Sequence, residues 1–211
     1  MLDRRTFLRT GGAVLALAAC TKQKGTAKPG ETTTTLPTTT SSGSSASDIA
    51  LMKTTASLEA LAVSVYQRAT RSGLAEDAAA ADALTLFQSH HTVQLQAING
   101  LLTTAQIAEV TAPNDALDRE IFQPALAAAK SQDDIVRMLF TLEDVLAQMY
   151  VYSAPLATRI EHRVALLTIG GVQARHRTVL GAAFAHESLA DLFPNAVASS
   201  DNPLPPDAIL S

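Results

Sequence analysis

From Asp48 onward, apolar residues recur at the three- and four-residue spacing of one helix face. The stretch IALMKTTASLEALAVSVYQRATRS predicts a first helix of about 25 residues, roughly 38 Å long. Ser47 or Asp48 is its expected N-cap and Gly73 its expected C-cap. A second helix fits Asp82 to about Leu102. A third starts near Ser131, where Ser-Gln-Asp-Asp resembles a capping box with Asp134, and ends near Pro155. A fourth runs from about Arg159 to His186, with Gly170 and Gly171 inside it, where they either weaken the helix or let another backbone come close. Short connectors join helices one to two and three to four. Residues 103–131 separate the two hairpins and carry Pro113, Pro124 and a short helix around Ala116 to Phe122. Two antiparallel hairpins joined by one long crossover make an all-α four-helix bundle.

The pattern is different before Asp48. Arg4 and Arg5 precede Phe7-Leu8, and an apolar run follows from Ala13 to Ala19, too short to span a bilayer. The paired arginines resemble a bacterial twin-arginine export signal, although Asp3 stands where Ser or Thr is usual. Leu17-Ala18-Ala19-Cys20 resembles a lipobox, which implies cleavage before Cys20 and lipidation of its thiol. The mature chain would then have lost Arg4, Arg5, Arg9 and Asp3, leaving 13 basic and 19 acidic residues and a charge of −6. Residues 21–47 contain almost nothing apolar, so they should remain a disordered spacer. The tail from Phe193 carries Pro194, Pro203, Pro205 and Pro206, and is expected to lie extended over the bundle or to be loose. The expected organisation is therefore a signal peptide over 1–19, a linker over 20–47, a bundle over 48–190 and a Pro-rich tail over 191–211.

Composition narrows the function. A formal charge of −4 argues against a nucleic-acid partner, which would need a cationic face to displace phosphate counterions. A single Cys excludes an intramolecular disulfide and any Cys-rich metal site. Paucity of aromatic residues (4%) and an Ala/Leu-rich chain favour helix over sheet.

The chemistry lies in a repeat. Leu58-Glu59 is followed by Tyr66, and Leu142-Glu143 by Tyr150; in each case the Tyr is seven residues after the Glu, on the same helix face. The second and fourth helices each carry Gln-x-x-His with a Leu four residues beyond: Gln88, His91, Leu95 and Gln173, His176, Leu180. Glu59 to Gln88 is 29 residues and Glu143 to Gln173 is 30, so a duplicated hairpin is the simplest account.

The order of these residues over about 48–187 resembles the ferritin-like di-iron superfamily. That resemblance implies inward-facing metal ligands at Glu59, His91, Glu143 and His176, with Gln88 and Gln173 at the two positions where the family has Glu. Residues at i and i+3 share a helix face, so a carboxylate and an imidazole can grip one ion together. Two Gln replacements remove two anions. Gln is a neutral, weaker donor, which puts a di-iron centre in doubt and leaves ligands for one Zn, Mn or Fe ion. The residues equally admit a metal-free network in which the same groups hydrogen-bond one another.

Tyr66 and Tyr150 are expected to hydrogen-bond the carboxylates, to relay electrons if a redox metal is present, or to pack in the core with a polar tip. His90 points about 100° away from His91 and is expected to be exposed; His162 and His186 are expected to be solvated. Met52, Met138 and Met149 read as core gap-fillers. No phosphate loop, Ser elbow or Cys–His pair occurs. The expected molecule is an exported ferritin-like protein held to the membrane through Cys20, with an altered metal site. The alternative is a metal-free surface module that binds a partner or supports the envelope. Pairing of two copies as a homodimer is left open.

Overall fold

A computed structural model describes residues 45–185, 187–188, 192, 204 and 208–210. The signal segment, Cys20, the linker to residue 44, His186 and the prolines of the tail lie outside the described residues. The first helix, α1 (Ala46–Arg71), starts two or three residues earlier than expected because Ser45, rather than Ser47 or Asp48, is its N-cap, its hydroxyl accepting from the Asp48 N–H at 3.1 Å. Ser72 ends the helix, and Gly73 follows in the left-handed region at φ +70°, which suits a residue without Cβ. The second helix, α2 (Ala78–Thr104), is capped by Asp77, whose carboxylate accepts from the N–H groups of Ala79 and Ala80.

The crossover contains α3 (Asp115–Leu117), a π turn (Asp118–Phe122) and α4 (Gln123–Ala128), with Pro124 in the first turn of α4, where its missing N–H costs nothing. Ser131 caps α5 (Gln132–Ser153) by accepting from the Asp134 N–H at 3.2 Å, and the Asp134 carboxylate reaches back to accept from the Ser131 hydroxyl (2.8 Å) and the Lys130 N–H (2.9 Å), a variant of the expected capping box. Pro155 stops α5, and a 3-10 turn (Ala154–Leu156) leads to α6 (Ile160–Val179), which widens into a π turn (Leu180–Ala185).

α1 packs on α2 and α5 on α6, and the two hairpins meet along α1–α5 and α2–α6. α1 is long and apolar enough to cross a membrane by composition, yet two-thirds of its apolar window (67%) is buried inside the bundle, as befits a central core helix. Its small residues Thr54 to Ser57, Ala60 and Ala62 are all buried and let neighbouring helices approach closely. Around them Leu58, Leu61, Leu139 and Leu146 are fully buried; each such side chain contributes about 1.5–3 kcal/mol. Met52, Met138 and Met149 fill the core as expected.

Two polar clamps close the bundle. Asp48, wholly buried, accepts from the N–H of Thr158 (2.8 Å) and of Arg159 (3.1 Å), from the Thr158 hydroxyl, and from His162 Nδ1 (2.9 Å). Burial alone would raise its carboxyl, but those donors at the start of α6 hold it below the ordinary range. His162 is thereby buried rather than solvated, because it faces Asp48 across the helix ends. At the crossover, Asn114 donates to Ser57 Oγ (3.0 Å) and to the Ala208 carbonyl (2.8 Å), while the Leu210 N–H donates to Thr54 Oγ1 (2.9 Å). Residues 208–210 are therefore docked on α1.

Candidate metal centre

The inward face of α2 reads Leu84, Phe87, His91, Gln94, Ile98, in alternating three- and four-residue steps. That of α6 reads Leu166, Ile169, Gln173, His176 and then Leu180. Glu59 and Tyr66 on α1, and Glu143 and Tyr150 on α5, complete a sealed interior in which Glu59, His91, Glu143, Gln173, Tyr66 and Tyr150 have no solvent exposure. Duplication thus delivers seven of the eight marked side chains to one place.

Gln88 is the exception. It is half-buried and makes no side-chain hydrogen bond among the described residues. The rotation that seats Phe87 and His91 inward carries Gln88 off the core face, and Gln94, one turn beyond His91, takes the inner position instead. Gln173 Nε2 donates to Gln94 Oε1 at 3.1 Å and to Glu59 Oε1 at 2.8 Å. Gln94 was legible in the three-four pattern, but the Gln-x-x-His match masked it.

The carboxylates are cross-braced. Tyr66 donates to Glu143 Oε1 at 2.5 Å, and Tyr150 donates to Glu59 Oε1. Burial first, and then the facing carboxylates, push both phenols well above their ordinary range, so they stay protonated donors. His91 lies between the two acids: its Nδ1 is 2.8 Å from Glu59 Oε2 and its Nε2 is 3.0 Å from Glu143 Oε1. A ring with both nitrogens against carboxylates donates twice only as the imidazolium. Burial opposes that charge, but the pull of Glu143 and Glu59 prevails and raises His91 to about 10. Burial likewise opposes ionisation of Glu143, but the charge of His91 and hydrogen bonds from His176 and His91 bring it down to about 2.

His176 Nδ1 approaches the same Glu143 oxygen at 3.2 Å, and its Nε2 pairs with His90 Nδ1 at 2.9 Å. His90 is therefore half-buried rather than exposed, its ring edge to edge with His176 at a centroid separation of 5.1 Å, while Phe87 stacks on His176 at 4.0 Å. Burial and the neighbouring imidazoles of His176 and His91 push His90 down, which favours its neutral form. His90 meets His176 because α6 packs beside α2, which a helical wheel centred on His91 does not anticipate.

Metal-capable atoms converge here. Ligand atoms of His91, Glu143 and His176 lie within 4.8 Å of one another, all buried. Two buried acceptors in the same interior, Glu143 Oε2 and Gln173 Oε1, have no hydrogen-bond partner among the described residues. Orphaned acceptors in a dry core are costly unless a donor or a cation meets them.

A family model described as a ferritin-like domain matches residues 47–186. The chain belongs to the ferritin-like domain family. No curated protein and no solved structure matches it. The matched span coincides with the two hairpins and crossover described above, so the bundle and its interior polar layer are the ferritin-like part of the chain. Within that family frame, the donor set of this ferritin-like domain fits one ion better than two. Glu59 and Glu143 balance one divalent charge once His91 gives up its extra proton, whereas two such ions would leave two positive charges uncompensated in a dry interior.

Proposed function

We propose that this protein is an exported, lipid-anchored ferritin-like protein that holds a single divalent metal ion through His91, Glu143 and His176, with Gln173 as a carbonyl donor. The observation that carries the reading is Glu143 Oε2: a buried carboxylate oxygen without a partner, in a cluster whose ligand atoms lie within 4.8 Å. Fe, Mn and Zn all suit two imidazoles and a carboxylate. Iron or manganese would supply redox chemistry there and zinc only Lewis acidity. The chain's own residues would hold the ion, exclude water and keep two phenolic protons beside the carboxylates. Export and anchoring rest on the twin-arginine-like start, the lipobox-like Leu17–Cys20 segment and the membrane attachment that lipidated Cys20 would give; the site of action would be the outer face of the cytoplasmic membrane.

A second reading is favoured by one specific observation. His91 as an imidazolium already bridges Glu59 and Glu143, so a proton occupies the role of the ion and the bundle is held together without metal. On that reading the protein is a surface module whose polar core only fixes helix packing. Loading the purified chain with Fe(II), Mn(II) or Zn(II) and measuring bound metal separates the two. About one equivalent that disappears in Glu143→Gln supports the metal site; below roughly a tenth of an equivalent for all three ions leaves the proton-bridged module.

A further inference from the structure

α6 is apolar on both sides. Its core face holds Leu166, Ile169, Gln173 and His176, yet its outer face carries Ile160, Val164 and Leu167, which are 68%, 55% and 57% exposed. Gly171 and Ala174, also exposed, continue that stripe. The five positions step by four, three, four and three residues, the rhythm that keeps one seam of a helix against a partner helix. Exposure of single large apolar residues is ordinary; a seam of them opposite the core is not.

We propose that this stripe is the interface of a homodimer, in which α6 packs antiparallel on α6 of a second copy about a twofold axis near Leu167. The stripe tapers from Ile, Val and Leu at the N-terminal end of the helix to Gly and Ala at the other. Running antiparallel, Ile160 meets Ala174 of the other copy, Val164 meets Gly171, and Leu167 meets its own equivalent, so large faces small throughout. A parallel pair would set Ile on Ile and Gly on Gly, crowding one end and leaving a gap at the other.

Charge agrees with the same register. Glu161 and Arg175 lie on the same flank of the seam, and antiparallel pairing about Leu167 brings Glu161 of each copy opposite Arg175 of the other. Arg175 is exposed and makes no ion pair among the described residues, and the Glu161 side chain is 40% exposed, with Arg159 as its intramolecular partner. A lipid surface would reward the apolar stripe but demands neither the large-to-small taper nor an acid placed to meet Arg175. The dimer is independent of whether metal binds.

The test uses the full chain carrying Cys20→Ser, which removes its one thiol. Sedimentation is expected to show a monomer–dimer equilibrium that Leu167→Glu weakens roughly tenfold or more, with unfolding unchanged when measured at concentrations where both chains are monomeric. Arg175→Glu weakens it too, and adding Glu161→Arg restores it, a rescue that a folding defect would not give. Leu167→Cys forms a disulfide with its own copy; Ile160→Cys does so with an Ala174→Cys chain and not with itself. A chain that stays monomeric at high micromolar concentration overturns the proposal, as does a dimer indifferent to Leu167→Glu or a self-linked Ile160→Cys. A monomer that floats with phosphatidylglycerol vesicles through Leu167 would replace the second copy by a lipid surface.

Discussion

Tyr66 donates its hydroxyl to Glu143 Oε1, 77 residues away on the opposite hairpin, at 2.5 Å. Tyr150 returns the bond to Glu59, so each half of the duplicated sequence supplies the acid that the other half's phenol satisfies. Within one helix Glu and Tyr share a face at seven residues' distance; across the bundle they exchange partners. The brace ties α1 to α5 at the level of the polar layer and orients both carboxylates.

Tyr66→Phe removes one charge-assisted hydrogen bond from a buried acid. The expected loss is about 1.5–3 kcal/mol of stability, measured by urea unfolding of metal-free protein. It also releases Glu143 Oε1 from a competing donor, so metal affinity should rise in the same variant. Lowered stability with lowered affinity would mean that the phenol positions Glu143 for the ion rather than competing with it.

The His91 bridge has a pH window. His91 is raised from 6.5 to about 10 on folding, so its stabilisation is complete below 6.5 and fades as pH climbs through 10. Glu143 is lowered from 4.5 to about 2, so its share is complete above 4.5 and fades as pH falls through 2. Thermal unfolding of metal-free protein should therefore show greatest stability between 4.5 and 6.5. His91→Ala leaves two buried acids without their cation, a cost of about 3–5 kcal/mol, and should flatten the alkaline arm.

Metal and proton compete for His91. An ion can use the imidazole only after its extra proton leaves, so affinity should climb about tenfold per pH unit for each proton released. Zinc binding in competition with a chelator between pH 6 and 8 checks this. A flat profile would show that His91 is not a ligand and that the ion rests on Glu143 and His176 without it.

Gly170 packs against Tyr150. A Cβ built there would lie 2.7 Å from Tyr150 Cβ, closer than side chains tolerate. Gly170→Ala should cost about 1–3 kcal/mol by forcing α5 and α6 apart, whereas Gly171→Ala, with nothing within 4 Å in the single chain, should leave the monomer's stability unchanged or slightly higher. Because Tyr150 reaches Glu59, the first substitution should also disturb metal binding. Unfolding midpoints of the two variants, measured side by side, give the comparison.

The helices, the crossover and the Ser131–Asp134 cap were readable because each depends on local periodicity and on backbone groups within a few residues. Glu59, Glu143, His91, His176 and Gln173 were readable because duplication printed the same spacing twice. The first helix was capped two residues before Ser47 because Ser45 and Ser47 are equivalent as caps by type, and Asp48 is instead engaged with the start of α6.

Local chemistry thus determined by itself that the chain forms two helical hairpins with matched polar residues on their inner faces. Tertiary packing alone decided which of those residues meet. The rotation of α2 exchanged Gln88 for Gln94 and drew His90 onto His176, the crossing of the hairpins gave each tyrosine the other half's acid, and the placing of Asp48 buried His162. A helix wheel fixes angle only to within part of a turn, whereas a hydrogen bond in a dry interior requires agreement to a few tenths of an ångström, and that agreement is set by every helix in contact.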